Sequence, residues 1–468
     1  MNRLSSVRLA LAMAMALSVP LPALAADADS GVSGNSSEAM RTGQGRTLED
    51  FFTAAMEHSP RLRIAEDQMD IGSARRRAAN GQLLPQLSAN ASASDNRQER
   101  SDTQQVQNYR GERYSLQLRQ VLFNWRAFAS RSAAYARENQ YEALYYEELA
   151  TLFADVAERY FNVLEARDTL ASVEAELRAV QNQRDQVNRL RDLQMVPITD
   201  LYDVEARLSA LEAERVAARS EVDITREALR SAAGLGVGEL YSLGEAADLS
   251  VPEGTAADWA ERARRANHQI SAREFAVDAA GKRVSESRGA YMPEVSIVAQ
   301  QQRSDLGYDN QSTPRRDTTY VGVDVSVPLF AGGSNRASVS EALSQQSIAR
   351  NELRQTQLEV GDQARMLYLR LQANSQRVTA AKQMVESMAL AVESRQRSFE
   401  LGNTTSVEVL DALRDQFRAE RELQAYRYEH IKLSLQLQQA AGDLDAEDML
   451  EVSGWLEPAE NGDGAAQP

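Results

Sequence analysis

The sequence predicts a mainly α chain with a small β part, built as one unit written twice. Three observations carry this reading: a 208-residue internal repeat, two very long stretches almost free of glycine and proline, and four short segments in which apolar and polar residues alternate. The repeat comes first because missing one mis-assigns the whole fold. Thr47-Leu48-Glu49-Asp50 returns as Thr255-Ala256-Ala257-Asp258, and Leu84-Pro85 as Met292-Pro293. Tyr160 returns as Tyr368, Asp200 as Glu408, and Ala232-Ala233-Gly234 as Ala440-Ala441-Gly442, each pair 208 residues apart. The register slips by one residue where Val121-Leu122-Phe123 answers Pro328-Leu329-Phe330. A period this long means a duplicated domain-sized unit, not a solenoid.

Each element then follows in order. Residues 1–25 read as a secretory signal: Arg3 and Arg8 make a basic start, Leu9 to Leu21 is a short apolar run, and Ala23-Leu24-Ala25 fits the small-x-small cleavage rule. Residues 26–46 are rich in Gly, Ser, Asp and Asn and read as a flexible arm. The first repeat covers 47–234, a Gly-rich link 235–254, the second repeat 255–442 and an acidic tail 443–468. In each repeat one helix is expected to open at a threonine cap, Thr47 or Thr255, and to end at Pro85 or Pro293, because proline cannot continue a helix.

Alternating segments follow. Leu87, Ala89, Ala91 and Ala93 oppose Ser88, Asn90, Ser92 and Ser94; after a polar stretch, Tyr114, Leu116, Leu118 and Leu122 oppose Ser115, Gln117 and Arg119. The second copy offers Val295, Ile297 and Ala299, then Val321, Val323, Val325 and Val327 against Gly322, Asp324 and Ser326. Alternation with period two is the signature of a strand with two unlike faces. Asn124 and Ser334 then stand as N-caps of helices running to about 192 and 401, each roughly 100 Å long at 1.5 Å per residue. Both break at short polar turns, Gln194-Met195-Val196-Pro197 and Leu401-Gly402-Asn403-Thr404. The return helices show a 3-4 apolar spacing: Leu201, Val204, Leu208, Leu211, Val222 and Leu229 in the first copy, interrupted by Arg215, Ala218 and Thr225. Val409, Ala412, Gln416, Ala419, Leu423, Tyr426, His430, Leu433 and Leu437 stand at the equivalent positions in the second, a weak coiled-coil seam rich in Ala and polar residues.

Composition narrows the function. There is no cysteine, which excludes disulfides, thiol chemistry and acylation at a lipoprotein junction. The net charge of −16 falls by two more when Arg3 and Arg8 leave with the signal, and an acidic chain repels phosphate, so nucleic acid is not an expected partner. After the signal no stretch approaches twenty apolar residues, so no transmembrane helix is expected. His58, His268 and His430 are scattered, and no nucleophile elbow or phosphate loop stands in a fitting context, so neither enzyme activity nor a cofactor or metal is expected. Four amphipathic strands are too few for a closed barrel, which needs about eight, and an open sheet leaves exposed edges. Three chains would supply twelve strands, with the apolar face on lipid and the polar face around a wet lumen. Tyr114, Phe123, Trp125 and Phe330, together with Phe128, Tyr291 and Tyr320, are read as aromatics at the strand ends, where a membrane–water interface would lie.

Over nearly all of its mature length the chain resembles the TolC-like outer-membrane efflux and secretion ducts. The matching pieces are the duplication itself, Leu83-Leu84-Pro85-Gln86-Leu87, Val327-Pro328-Leu329-Phe330-Ala331-Gly332-Gly333, Glu158-Arg159-Tyr160-Phe161-Asn162-Val163-Leu164, Pro197-Ile198-Thr199-Asp200-Leu201, and Gly402 with Glu408-Val409-Leu410-Asp411. The resemblance implies a homotrimer in the outer membrane of a Gram-negative cell. Long helical hairpins would form a trans-periplasmic α-barrel, and four strands per chain would contribute to a trimeric twelve-stranded β-barrel. It implies a passive exit duct for type I protein secretion or drug efflux. The tips Gln194, Val196, Pro197, Gly402, Asn403 and Thr404 would dock a periplasmic adaptor protein and, with it, an inner-membrane ABC or proton-driven pump. Positions matching Asp200, Phe399, Glu408 and Asp411 line or hold shut the periplasmic aperture in the family, and Asp203 joins that acid cluster. Three chains turn each acid into a ring, and acidic rings favour cations. Acids at a helix start also simply complement the helix dipole. The chain departs from the best-known pattern where Thr404 replaces a locking arginine, Phe399 an aperture tyrosine and Gln194 the first tip's glycine. A periplasmic coiled-coil adaptor or structural protein is the alternative reading; neither accounts for two strand pairs with lipid-type faces.

Overall fold

The computed structural model describes residues 46–458 except 100, 103–105, 245–248 and 306–314, so the expected signal, nearly all of the arm and the end of the tail lie outside the described residues. The first copy comprises α1 (Leu48–His58), α2 (Pro60–Gly81), β1 (Gln86–Glu99), β2 (Val106–Asn124), α3 (Trp125–Asp192) and α4 (Ile198–Ala233). A short strand β3 (Ser242–Leu243) follows. The second copy repeats the order with α5 (Ala256–Ala266), α6 (His268–Arg288), β4 (Glu294–Asp305), β5 (Arg316–Ser326), α7 (Ser334–Glu400) and α8 (Ser406–Ala441). The chain closes with α9 (Ala446–Gly454) and β6 (Leu456–Glu457).

The opening helix of each copy is two helices, not the single one that its composition suggests. Thr47 and Thr255 do start α1 and α5, each in a reciprocal box with the aspartate three residues on (Thr47 N to Asp50 Oδ2, 3.0 Å; Thr255 N to Asp258 Oδ2, 2.8 Å). Both helices stop eleven residues later at repeat-equivalent positions, Ser59 and Asn267. Each of these residues ends one helix and caps the next: Ser59 Oγ accepts from Leu62 N, ahead of Pro60 at the first helical position, and Asn267 Oδ1 accepts from Gln269 N and Ile270 N. The reason for the break lies in what crosses there. Return helices α4 and α8 end at Gly234 (φ +68°) and Gly442 (φ +77°), and a Cβ on either would strike His58 or Ala266. The chain bends where a glycine terminus is pressed against it, and Asn267 Nδ2 also donates to Ala440 O at 3.0 Å.

The long helices are as expected, 68 residues in α3 and 67 in α7. Asn124 caps α3 by accepting from Ala127 N at 3.1 Å. Ser334 is not the cap of α7: Gly333, with φ +86°, holds that place, and the Ser334 hydroxyl donates to Ala331 O instead. A left-handed residue there suits glycine rather than serine. The predicted register of α4 is its buried face, with Leu201, Val204, Leu208, Leu211, Val222 and Leu229 all inside. α8 is buried on a second face as well, through Leu410, Leu413, Tyr428, Ile431 and Leu435, because it lies between α7 and α3 of the other copy. Ala412, Gln416, Leu423 and Tyr426 of its expected seam are only half-buried.

The repeat-related tyrosines have one job. Tyr160 donates its hydroxyl to Tyr241 O and Tyr368 donates to Gly254 O (3.2 and 2.6 Å), each pinning the segment between the copies. There β3 pairs with β6, and Leu444, Met449, Val452 and Leu456 join the core around Phe51, Tyr160 and Phe161. The tail is therefore structured through Leu456, with apolar residues at helical spacing among its acids.

Candidate functional site

Two regions gather the candidate residues, one at each end of the long helices. At one end β1, β2, β4 and β5 form a single antiparallel sheet in that order, with β1 and β5 at its edges. The strands run further than the alternating segments because their outer parts are polar on both faces. Directly opposed residues share a face, so the register sorts the side chains. One face carries the rows Phe123–Val295–Val325, Gln120–Ile297–Val323, Leu87–Leu118–Ala299–Val321 and Ala89–Leu116–Gln301–Thr319. The other carries Ser88–Gln117–Gln300–Tyr320 and Asn90–Ser115–Gln302–Thr318. A bulge between Val121 and Phe123 brings Phe123 onto the apolar face. The one-residue slip between the copies falls on this bulge.

Tyr114 is not at a strand end but within β2, in the row Ala91–Tyr114–Arg303–Asp317. Arg303 and Asp317 are ion-paired at 2.9 Å, and beyond them Arg110 and Asp95 pair at 3.1 Å. Tyr114 thus marks the line where apolar rows give way to charged ones. The stretch from Tyr114 to Phe123 spans roughly 30 Å of strand, or about 23 Å of height at the tilt of a barrel, close to the usual lipid band of about 25 Å. Phe123, Trp125 and Phe330 lie at the helical end and are 37 %, 43 % and 88 % exposed. Tyr320 sits instead on the polar face, its ring over Gly322.

At the other end α3 and α7 terminate in the same motif. Gln194 (φ +60°) and Gly402 (φ +71°) take the left-handed position. Gln194 N donates to Arg191 O and Met195 N to Leu190 O; Gly402 N donates to Phe399 O and Asn403 N to Ser398 O, all at 2.8–3.0 Å. Pro197 and Thr405 occupy the N-cap positions of α4 and α8 without a side-chain cap bond. The structural partner of Pro197 is therefore Thr405, and that of Val196 is Thr404, one residue on from the pairing suggested by the loop sequences. Val196 packs against the tip core, and Gln194, Pro197, Gly402 and Asn403 are exposed.

The five aperture candidates separate. Phe399 is 4 % exposed and packs with Leu201, Val409 and Leu413, inside the helix pair rather than on its surface. Glu408 is ion-paired with Arg395, and Asp411 with Arg414 at 3.1 Å. Among the described residues, no cation lies within ion-pair distance of Asp200, in the first turn of α4, or of Asp203. Sequence reasoning missed the polar links that join the two copies behind the tips. Glu176 on α3 is fully buried and ion-paired with Arg207 of α4 and with Arg421 of α8 (3.1 Å). Gln183 of α3 donates to Ser406 of α8 at 3.4 Å. The signal was present, since Glu176 stands in the apolar register of Val173, Leu177 and Val180, where a carboxylate needs a buried partner.

The model of the outer membrane efflux protein family matches residues 52–235 and 259–443, one match in each copy. The chain belongs to the outer membrane efflux protein family. Outer membrane protein TolC of Vibrio cholerae serotype O1 is 27 % identical over 417 residues, covering 88 % of this chain and 94 % of that one. Alkaline protease secretion protein AprF of Pseudomonas aeruginosa is 26 % identical over 413 residues, covering 86 % and 85 %. The crystal structure of the outer membrane protein VceC from Vibrio cholerae superposes with a TM-score of 0.73 at 18 % identity, covering 84 % of this chain and 96 % of that chain. The two-copy helical fold with one small sheet is thus that of outer-membrane efflux channels, and the chain is an outer-membrane protein of that class.

Proposed function

We propose that three copies of this chain form a passive exit duct. Its tips would dock a periplasmic adaptor, and through it an inner-membrane ABC or proton-driven pump. The sheet carries this reading: one face apolar over the height of a lipid band, the other polar, and both edges open. Closure then requires β5 of one chain to pair with β1 of the next, and three chains give the twelve strands of a closed barrel. The native sequence has no cysteine, so single cysteines placed along β1 and β5 can report the pairing by oxidation. Disulfide-linked trimers in outer-membrane extracts are expected; a panel that yields only monomers overturns the duct.

The tips are the proposed docking surface, and the acids behind them the proposed aperture. Asp200 and Asp203, which have no arginine partner among the described residues, would carry much of the cation preference, while Glu408 and Asp411 are held by Arg395 and Arg414. Replacing Asp200 and Asp203 with alanine should lower cation preference in planar-bilayer recordings. Glu408→Ala with Asp411→Ala should raise conductance as well as reduce cation preference. Recordings identical to wild type would remove the aperture assignment. The name of AprF favours protein secretion as one cargo; a deletion strain that loses a secreted protease but keeps its drug tolerance would place this duct in secretion, and the converse in efflux.

A further inference from the structure

The helical shoulder next to the sheet carries a charge that the duct itself does not use. Within fourteen residues of the helical ends of the four strands, in the stretches 72–85, 125–138, 280–293 and 327–340, there are ten arginines and lysines against two glutamates, in a chain of net charge −16. Among the described residues, only two of the ten find a carboxylate: Arg76 meets Glu138 at 2.5 Å and Lys282 meets Asp278 at 3.5 Å. Among the described residues, no carboxylate lies within ion-pair distance of Arg77, Arg126, Arg131, Arg283, Arg288 or Arg336, and all six are exposed. In the outer parts of the strands Arg303 meets Asp317 and Arg110 meets Asp95, while among the described residues no carboxylate lies within ion-pair distance of Arg97, Arg113 or Arg316.

The cations act on one another and on their neighbours. The Tyr135 phenol is pushed down to about 8 by hydrogen bonds from Arg131, Asn80 and Arg76. Arg137 is held below its ordinary value by burial and by the Arg283 charge. Arg126 and Arg283 line an open hollow of about 350 Å³ with Ser287, Asn335 and Ser338, a set of donors suited to phosphate oxygens, although Glu286 and Glu341 border it. Trp125, whose indole donates to Ser285 at 3.1 Å, and Phe128, 6.3 Å from Phe123, adjoin the end of the apolar rows, so the cations begin where lipid headgroups would.

We propose that this arginine shoulder binds the anionic phospholipid headgroups of the periplasm-facing leaflet. The inference rests on the reading of the sheet as a membrane barrel. An unpaired cation next to an apolar belt is stabilised by a phosphodiester at the same depth, and the attraction fades within a Debye length. The shoulder would therefore fix the height of the barrel in the bilayer and hold a layer of anionic lipid around the neck of the duct.

The test uses the full-length protein in nanodiscs of phosphatidylcholine alone or of phosphatidylcholine and phosphatidylglycerol in equal parts. Lipid retained after detergent extraction is measured by mass spectrometry. Phosphatidylglycerol should be enriched several-fold over the bulk mixture, and salt should reduce the enrichment. The combined change Arg126→Gln, Arg283→Gln, Arg288→Gln and Arg336→Gln should bring it to the bulk ratio, the same positions as lysine should retain it, and Arg110→Gln with Arg303→Gln should leave it unchanged. No enrichment in the native protein, or enrichment that survives the glutamine set, overturns the proposal. So does dissociation of the glutamine set into monomers in phosphatidylcholine, which would make the shoulder a contact between chains. If the sheet does not enter membranes at all, no protein is retained in nanodiscs of either composition, an outcome separate from retention without enrichment.

Discussion

Gln194 holds a backbone conformation that costs a residue with a Cβ roughly 1–2 kcal/mol, while its repeat partner Gly402 takes the same conformation freely. Gln194→Gly should therefore slow amide exchange across residues 190–198, and Gly402→Gln should speed it across 398–406; equal exchange in all variants would show that the tips do not feel the difference. Glu176 is the opposite case, a buried charge satisfied twice. Glu176→Ala leaves Arg207 without its carboxylate and Arg421 with only the 3.8 Å contact to Glu214, and breaking a buried pair costs about 3–5 kcal/mol. A denaturation midpoint unchanged by that substitution would show the cluster to be hydrated. Tyr135 offers a direct titration. Its value in the folded chain lies below its unfolded one, so phenolate formation stabilises the fold above about pH 10 and that contribution is lost as pH falls through about 8. A tyrosinate absorbance step near pH 8 should be present in the native protein and missing from Tyr135→Phe.

At the scale of elements, what was legible was what depends on local pattern. The long helices, the four strands, the polar tips and the buried register of α4 all follow from period and from where glycine and proline are absent. The break at Ser59 was legible and overlooked, since Pro60 directly after it cannot sit inside a helix. The one at Asn267 has no proline to mark it, and what presses there is the glycine terminus of a helix 175 residues further along the chain. The same explanation covers α8: a single 3-4 register cannot describe a helix gripped from two sides. Tyr114 and Tyr320 show the limit of reading aromatics as strand-end markers, since the strands continue past both as polar ladders. Of the candidate aperture residues, the exposed acids were found from their position after the tips, but the pairing of Glu408 and Asp411 with arginines depends on how α7 and α8 lie together. Asn267 gives the element-scale prediction. Asn267→Ala removes a cap from α6 and a donor to the end of α8, and loss of a cap of this kind costs about 1–2 kcal/mol. The matching change at Ser59 should cost less, because Ser59 makes no such second bond.

For the whole molecule, duplication makes one chain into two similar units; their tips differ in sequence, while the acids behind the tips match in position, Asp200 with Glu408 and Asp203 with Asp411, and differ among the described residues in their arginine partners. Exchanging residues 194–203 with 402–411 tests whether the copies have separate roles: different gating and loss of complementation are expected, and an exchanged channel that behaves like the original would make the tips equivalent. The sheet order has a genetic consequence. In the proposed trimer β1 and β5 are edges that only neighbouring chains satisfy, so a protomer that folds and inserts but carries a proline in one edge strand would disable the ring that accepts it. In a cell making normal and edge-blocked chains equally, random assembly in threes leaves about one ring in eight wholly normal. Such an allele should be dominant over the wild type, whereas a deletion should be recessive.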